Sequence, residues 1–69
     1  GKPEDSFARI ANYWSVYLEG EVTSKDVAIM MTLLKVARLD ENPTNADNWI
    51  DACGYLACGG EIVGSEVPR

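Results

Sequence analysis

Histidine is absent from this chain, and the consequences run through its possible chemistry. Neither cysteine has an obvious partner base, so nucleophile–base catalysis has no starting point. With no histidine and only Cys53 and Cys58, a zinc site is unsupported as well. If the stretch holding both thiols is a helix, a separation of five residues sets them about 140° apart, with Cα atoms roughly 8 Å apart. A disulfide needs about 7 Å or less, so the expectation is two unpaired, buried thiols in a reducing cytoplasm. Basic charge is also scarce. Six Lys and Arg face eleven Asp and Glu, for a net charge of −5, which argues against gripping the phosphates of duplex nucleic acid. No apolar run reaches the roughly 18 residues of a membrane span, and no signal peptide appears. Strand-type alternation, internal repeats and low-complexity segments are missing too.

What is present is apolar and helical. Hydrophobic residues make up 46% of 69 residues, too many for disorder and ordinary for one small domain. At this length the core lies near the lower limit of self-sufficiency, so apolar surface is expected to be left over for a second chain. Self-association is the default expectation.

Three helices are predicted, at about residues 4–18, 24–39 and 46–60 of a single small domain spanning residues 1–69. In the first, Phe7, Ile10, Ala11, Trp14, Tyr17 and Leu18 follow the spacing of one apolar face. Asp5 or Ser6 can cap nearby amides, and Gly20 offers a left-handed C-terminal cap. The second opens at Thr23 or Ser24, where Thr23 and Asp26 have capping-box spacing. Its two stripes, Val27, Met30, Met31, Leu34 and Ala37 with Ile29, Leu33 and Val36, make it apolar on most sides. Such a helix needs neighbours on two sides, supplied either by three helices that wrap it or by a second subunit. Asp40 to Asn45 is a turn around Pro43. The third helix starts after Thr44 or Asn45, with Trp49, Ile50, Cys53, Leu56, Ala57 and Gly60 as its expected inward face, and Val63 to Arg69 read as a frayed tail. Its small residues allow close approach to a neighbour, which would offset the cost of mid-helix glycine, about 1 kcal/mol each.

Lys35, Arg38, Asp47, Asp51 and Tyr55 are the polar residues that recur at helical spacing within this apolar length. Asp47 and Asp51, one turn apart, can hold Mg²⁺ together with a phosphorylated ligand, because Mg²⁺ favours oxygen ligands and retains water. The plainer alternative puts Asp47 in a first turn for dipole reasons and pairs Asp51 with Lys35 or Arg38 across two antiparallel helices. The plainer reading is favoured.

The strings PEDSFARIANYWSVYL, DVAIMMTLLKVARL and DNWIDACGYLACGGEI, in that order from Pro3 to Ile62, resemble a family of short proteins encoded by tailed phages and prophages and known only as a domain of unknown function. Members of that family usually carry a further stretch ahead of the Gly-x-Pro, so the resemblance implies a piece of a slightly longer protein. A more distant likeness links Leu34-Lys35-x-x-Arg38-Leu39 and Asp51-x-x-x-Tyr55 to phage nucleotide-modification proteins and to MazG-like all-α nucleotide pyrophosphohydrolases. Those enzymes gather Mg²⁺ with Glu-Glu-x-x-Glu and Glu-x-x-Asp helices. Neither motif is present, and Glu4, Glu19, Glu21, Glu41, Glu61 and Glu66 fall at ends and turns, so the likeness implies a non-catalytic relative with Lys35, Arg38, Asp47, Asp51 and Tyr55 as what remains of a site.

The expected fold is therefore all-α, a three-helix bundle completed by homo-oligomerisation. The leading functional expectation is a phage or prophage accessory protein that acts by binding a host or phage protein in the bacterial cytoplasm. It uses no cofactor and touches neither membrane nor duplex nucleic acid. The alternatives are a Mg²⁺-dependent nucleotide-binding or nucleotide-hydrolysing protein, with Asp47 and Asp51 on the metal, and an acidic decoy of a host protein.

Overall fold

A computed structural model describes residues 3–66 and consists of three helices: α1 (Pro3–Leu18), α2 (Ser24–Glu41) and α3 (Ala46–Glu66). Both ends of α2 and the start of α3 have local causes. Thr23 is extended (φ −102°, ψ 168°) and caps α2. Its hydroxyl accepts the Asp26 N–H at 3.3 Å, while the Asp26 carboxylate accepts the Thr23 N–H at 2.9 Å, which completes the reciprocal capping box. The turn at Pro43 breaks the chain after Glu41, two residues later than expected. There the Asn42 N–H reaches the Arg38 carbonyl at 2.9 Å. Asn45 opens α3 by accepting the Asp47 N–H at 3.0 Å.

Two further details differ from the sequence reading. Helix α3 runs through Val63 to Glu66 instead of ending near residue 60, because nothing there interrupts the ladder. Residues 67–69, the rest of the expected tail, lie outside the described residues. The left-handed residue after α1 is Glu19 (φ 53°), not Gly20. Hydrogen bonds from Gly20 N–H to Ser15 carbonyl (3.1 Å) and from Glu19 N–H to Val16 carbonyl (3.3 Å) form a Schellman closure, with glutamate at the position glycine usually takes.

Helices α2 and α3 form the main packed pair; α1 rests on α2 and barely meets α3. The buried core is small: Phe7 and Ala11 from α1, Val27 and Ala28 from α2, Ile62 from α3. Among the described residues only Val27 is wholly enclosed. In the α2–α3 contact, a Cβ on Gly59 would stand 3.1 Å from the Ala28 Cβ, so glycine permits the α2–α3 spacing there. Gly54 and Gly60 have open space instead. Ser15 fastens the end of α1: its hydroxyl accepts the Val22 N–H at 2.8 Å and lies 2.7 Å from the Ala11 carbonyl. Thr32, buried in α2, donates to the Ala28 carbonyl at 2.8 Å.

The result is a slab of 36 × 33 × 20 Å, about two helix diameters thick, with a radius of gyration of 13.0 Å against about 11 Å for a compact chain of this length. Three helices in this arrangement do not wrap α2. Val27, Ala28 and Thr32 are buried, with Met31, Lys35 and Leu39 half-buried beside them, while Ile29, Met30, Leu33, Leu34 and Val36 face solvent.

The orientation of α3 corrects the sequence reading most. Trp49, Ile50, Cys53, Leu56, Ala57 and Gly60, the expected inward face, are all exposed. The inward arc is Asn48, Ala52, Tyr55, Gly59 and Ile62. A glycine contact, an aromatic contact and an ion pair turn this polar and small-residue arc toward α1 and α2, and the greasier arc looks out. For the same reason Cys53 is an exposed free thiol; Cys58 is half-buried, and both are unpaired. On α1, Tyr17 and Leu18 also project into solvent, because contact with α2 ends near Trp14.

Candidate functional site

Of the five polar residues singled out by spacing, the structure joins two. Lys35 Nζ lies 3.0 Å from Asp51 Oδ2 across the α2–α3 pair, with the lysine side chain 16% exposed and the aspartate 47%. This is the cross-helix ion pair of the plainer reading. Tyr55 turns into the core, its ring 6.2 Å from that of Phe7 at a tilt of 35°. Asp47 is exposed in the first turn of α3, and Arg38 is exposed in the last turn of α2, where cation and helix dipole agree. Arg38 and Asp47 therefore flank the Asn42–Asn45 turn rather than completing a pocket.

As a Mg²⁺ site this arrangement fits poorly. Only two carboxylates share the face, one already accepts from an ammonium group, and among the described residues no group of three or more His, Cys, Asp or Glu could hold a metal ion. The Asp26 carboxyl is perturbed by its cap. The Thr23 backbone N–H, and then the Thr23 hydroxyl, hold it below its ordinary range, as its capping role requires.

The feature that spacing alone did not single out is a groove between α2 and α3. It is open, about 350 Å³, and its walls are Ile29, Leu56 and Val63 over a floor of Ala28, Gly59 and Gly60, with Lys25 at one end. Along α2, Ile29, Leu33 and Val36 continue the same wall at i, i+4, i+7 spacing and are 47%, 60% and 51% exposed. Leu56 is 57% exposed opposite them. Beyond the far end, Trp49 is fixed by an N–H donated to the Pro43 carbonyl at 2.9 Å and remains largely in solvent. The signal for this groove was in the sequence, as a second helix apolar on most sides.

The structure defines a small all-α domain of three helices, with one ion pair across α2 and α3 and an exposed apolar face. The particular kinship is to one family: residues 1–63 match the model of a domain of unknown function (DUF6378), and the chain belongs to that family. It is similar to the Gene 55 protein of Mycobacterium phage L5, 45% identical over 56 residues that cover 80% of this chain and 36% of the relative. It is also similar to the Gene 55 protein of Mycobacterium phage D29, 40% identical over 58 residues covering 84% and 38%. The chain thus spans little more than a third of the length of these relatives. No solved structure matches. The kinship makes this a phage-type protein of unknown function, and it carries no link to nucleotide pyrophosphohydrolases. Among the described residues, no helix is long and apolar enough to cross a membrane.

Proposed function

We propose that this chain is a phage or prophage accessory protein that acts by binding rather than by catalysis in the cytoplasm of the bacterial host. Its partners are a second copy of itself and a host or phage protein. The observation that carries the reading is the bare face of α2 and α3: the central helix of the domain presents Ile29, Leu33 and Val36 to water. Monomeric soluble proteins seldom leave such a contiguous surface without a partner. The ionisable groups support the same reading, because Lys35 is held by Asp51 instead of standing free for a phosphate. The acidic residues lend a decoy role no comparable support. They stand mostly at the starts and ends of the helices, from Glu4 and Asp5 to Asp40, Glu41, Asp47 and Glu66.

The test is thermal denaturation with Mg²⁺ and each nucleoside triphosphate in turn. Binding without nucleotide chemistry predicts no shift from any of them, and a lower melting temperature for Asp51→Asn with no ligand present. A Mg²⁺–nucleotide shift in the parent that Asp51→Asn abolishes would make Asp47 and Asp51 a metal site and end this reading.

A further inference from the structure

We infer that the uncovered face of α2 is the seam of a two-fold dimer, with α2 of one copy packed antiparallel against α2 of the other and the axis passing beside Leu33. This rests on the binding reading and gives it a place on the molecule.

The pattern along the exposed side of α2 is self-complementary. Lys25, Ile29, Leu33, Val36 and Asp40 follow one another at intervals of four, four, three and four residues, all near one side of the helix. Reversing the helix about a point between Thr32 and Leu33 sets Ile29 against the partner's Val36 and brings Leu33 beside the partner's Leu33. The same operation brings Lys25 against the partner's Asp40, and this happens twice because the interface is isologous.

Lys25 and Asp40 are both exposed, and among the described residues no carboxylate lies within ion-pair distance of Lys25. Fifteen residues of helix separate the two along one chain, about 22 Å, so they cannot meet except between copies. A cation at one end and an anion at the other, with only apolar groups between, specify the antiparallel register and disfavour the parallel one.

The area agrees. Ile29, Leu33, Val36, Trp49, Leu56 and Val63 are 38–60% exposed and together offer roughly 600 Å² of side-chain surface, close to the ~800 Å² that each partner contributes to a standard interface. The groove floored by Gly59 and Gly60 beside Ile29 gives the facing side chains somewhere to seat.

Sedimentation equilibrium of the 69-residue chain over micromolar concentrations tests this, alongside melting temperature against concentration. The expected result is a mass twice 7.6 kDa and a melting temperature that rises with concentration. Leu33→Glu should weaken association at least about a hundredfold, as loss of a central apolar contact does, whereas Val16→Glu, on the exposed side of α1, should leave it unchanged. Lys25→Glu alone and Asp40→Lys alone should each weaken it about fivefold or more, and the double variant should restore it, since the charges then pair in reverse. These two positions are exposed helix-surface sites, so each single variant retains its helix content by circular dichroism.

A parent that is monomeric at every concentration, with a concentration-independent melting temperature, overturns the dimer. So does a dimer indifferent to Leu33→Glu, or charge variants whose effects add instead of cancelling. None of these outcomes touches the choice between binding and catalysis, which the nucleotide screen decides separately.

Discussion

Replacing Gly59 with alanine tests the packing of α3 against α2. The new methyl would stand 3.1 Å from the Ala28 Cβ, and relaxed carbon–carbon contacts lie at about 3.5–4.0 Å. Ala28 is 2% exposed, and both methyl groups are bonded directly to backbone, so no side-chain rotation relieves the contact. Helices α2 and α3 must part by about half an ångström there. Overpacking of this kind costs about 1–3 kcal/mol, against about 1 kcal/mol gained in helix propensity. The expected net loss is about 1 kcal/mol.

Gly54→Ala makes the same chemical change in the same helix with nothing within 4 Å of the new atom. It should gain close to the full propensity term, so the two variants should differ by about 2 kcal/mol. In a domain this small each kcal/mol moves the midpoint by about 4–8 °C. Thermal and urea denaturation followed by far-ultraviolet circular dichroism, at one fixed protein concentration, reads the difference directly. Ala28→Gly in the Gly59→Ala background returns the missing space and should recover part of the loss. If Gly59→Ala stabilises the protein as much as Gly54→Ala does, the α2–α3 distance is not limited by this contact and the packing account is wrong.

Asp51→Asn should lower stability by at most about 1 kcal/mol, as for a partly exposed pair; the gap from the parent should narrow as salt is added, and a gap unchanged by salt would exclude the ion pair as its source. Glu19→Gly should raise stability by about 1 kcal/mol by relieving the left-handed backbone of a residue with a Cβ, while Gly20→Ala, whose Cβ would meet only the Leu18 carbonyl oxygen at 3.9 Å, should be nearly neutral. Thr23→Ala should cost about 1 kcal/mol through loss of the α2 cap, measured by the urea midpoint. The folded-state pKa of Asp26 is lowered, so its contribution is complete above the unfolded-state pKa and is lost as pH falls through the folded-state value; Asp26→Asn should flatten that part of the acid limb, and an unaltered limb would count against the capping assignment.

The helices were legible because their signals are local. Thr23 with Asp26, Pro43, and Asn45 ahead of an apolar run each act within one turn of chain, and the structure uses all of them. The Lys35–Asp51 pair was legible too, since two helices joined by a short turn must run antiparallel and bring those side chains level. The phase of α3 was not. Hydrophobicity ranks Trp49, Ile50 and Leu56 above Asn48, Ala52 and Gly59, and a rule that buries the greasiest arc assumes the chain closes its own core. Here a methyl-sized clearance at Gly59 and a ring contact at Tyr55 decide the rotation, and neither is visible in a periodicity. Tyr55, counted among polar candidates, serves as core for the same reason. Glu19 in a left-handed conformation one residue before an available glycine could not be read in advance, because the closing hydrogen bonds to Ser15 and Val16 fix the count of residues.

The loose attachment of α1 bears on how the chain comes to be folded. A ribosome delivers α1 before the other two helices, yet Val27, Ala28 and Ile62, the residues that receive Phe7 and Ala11, come later in translation. The first helix therefore emerges with Phe7 and Trp14 unsheltered; α2 covers it first, and the cover from Tyr55 and Ile62 waits until nearly the whole domain has been synthesised. Slowing translation beyond residue 41 would lengthen that wait, and protease sensitivity of nascent chains within α1 is where it would register.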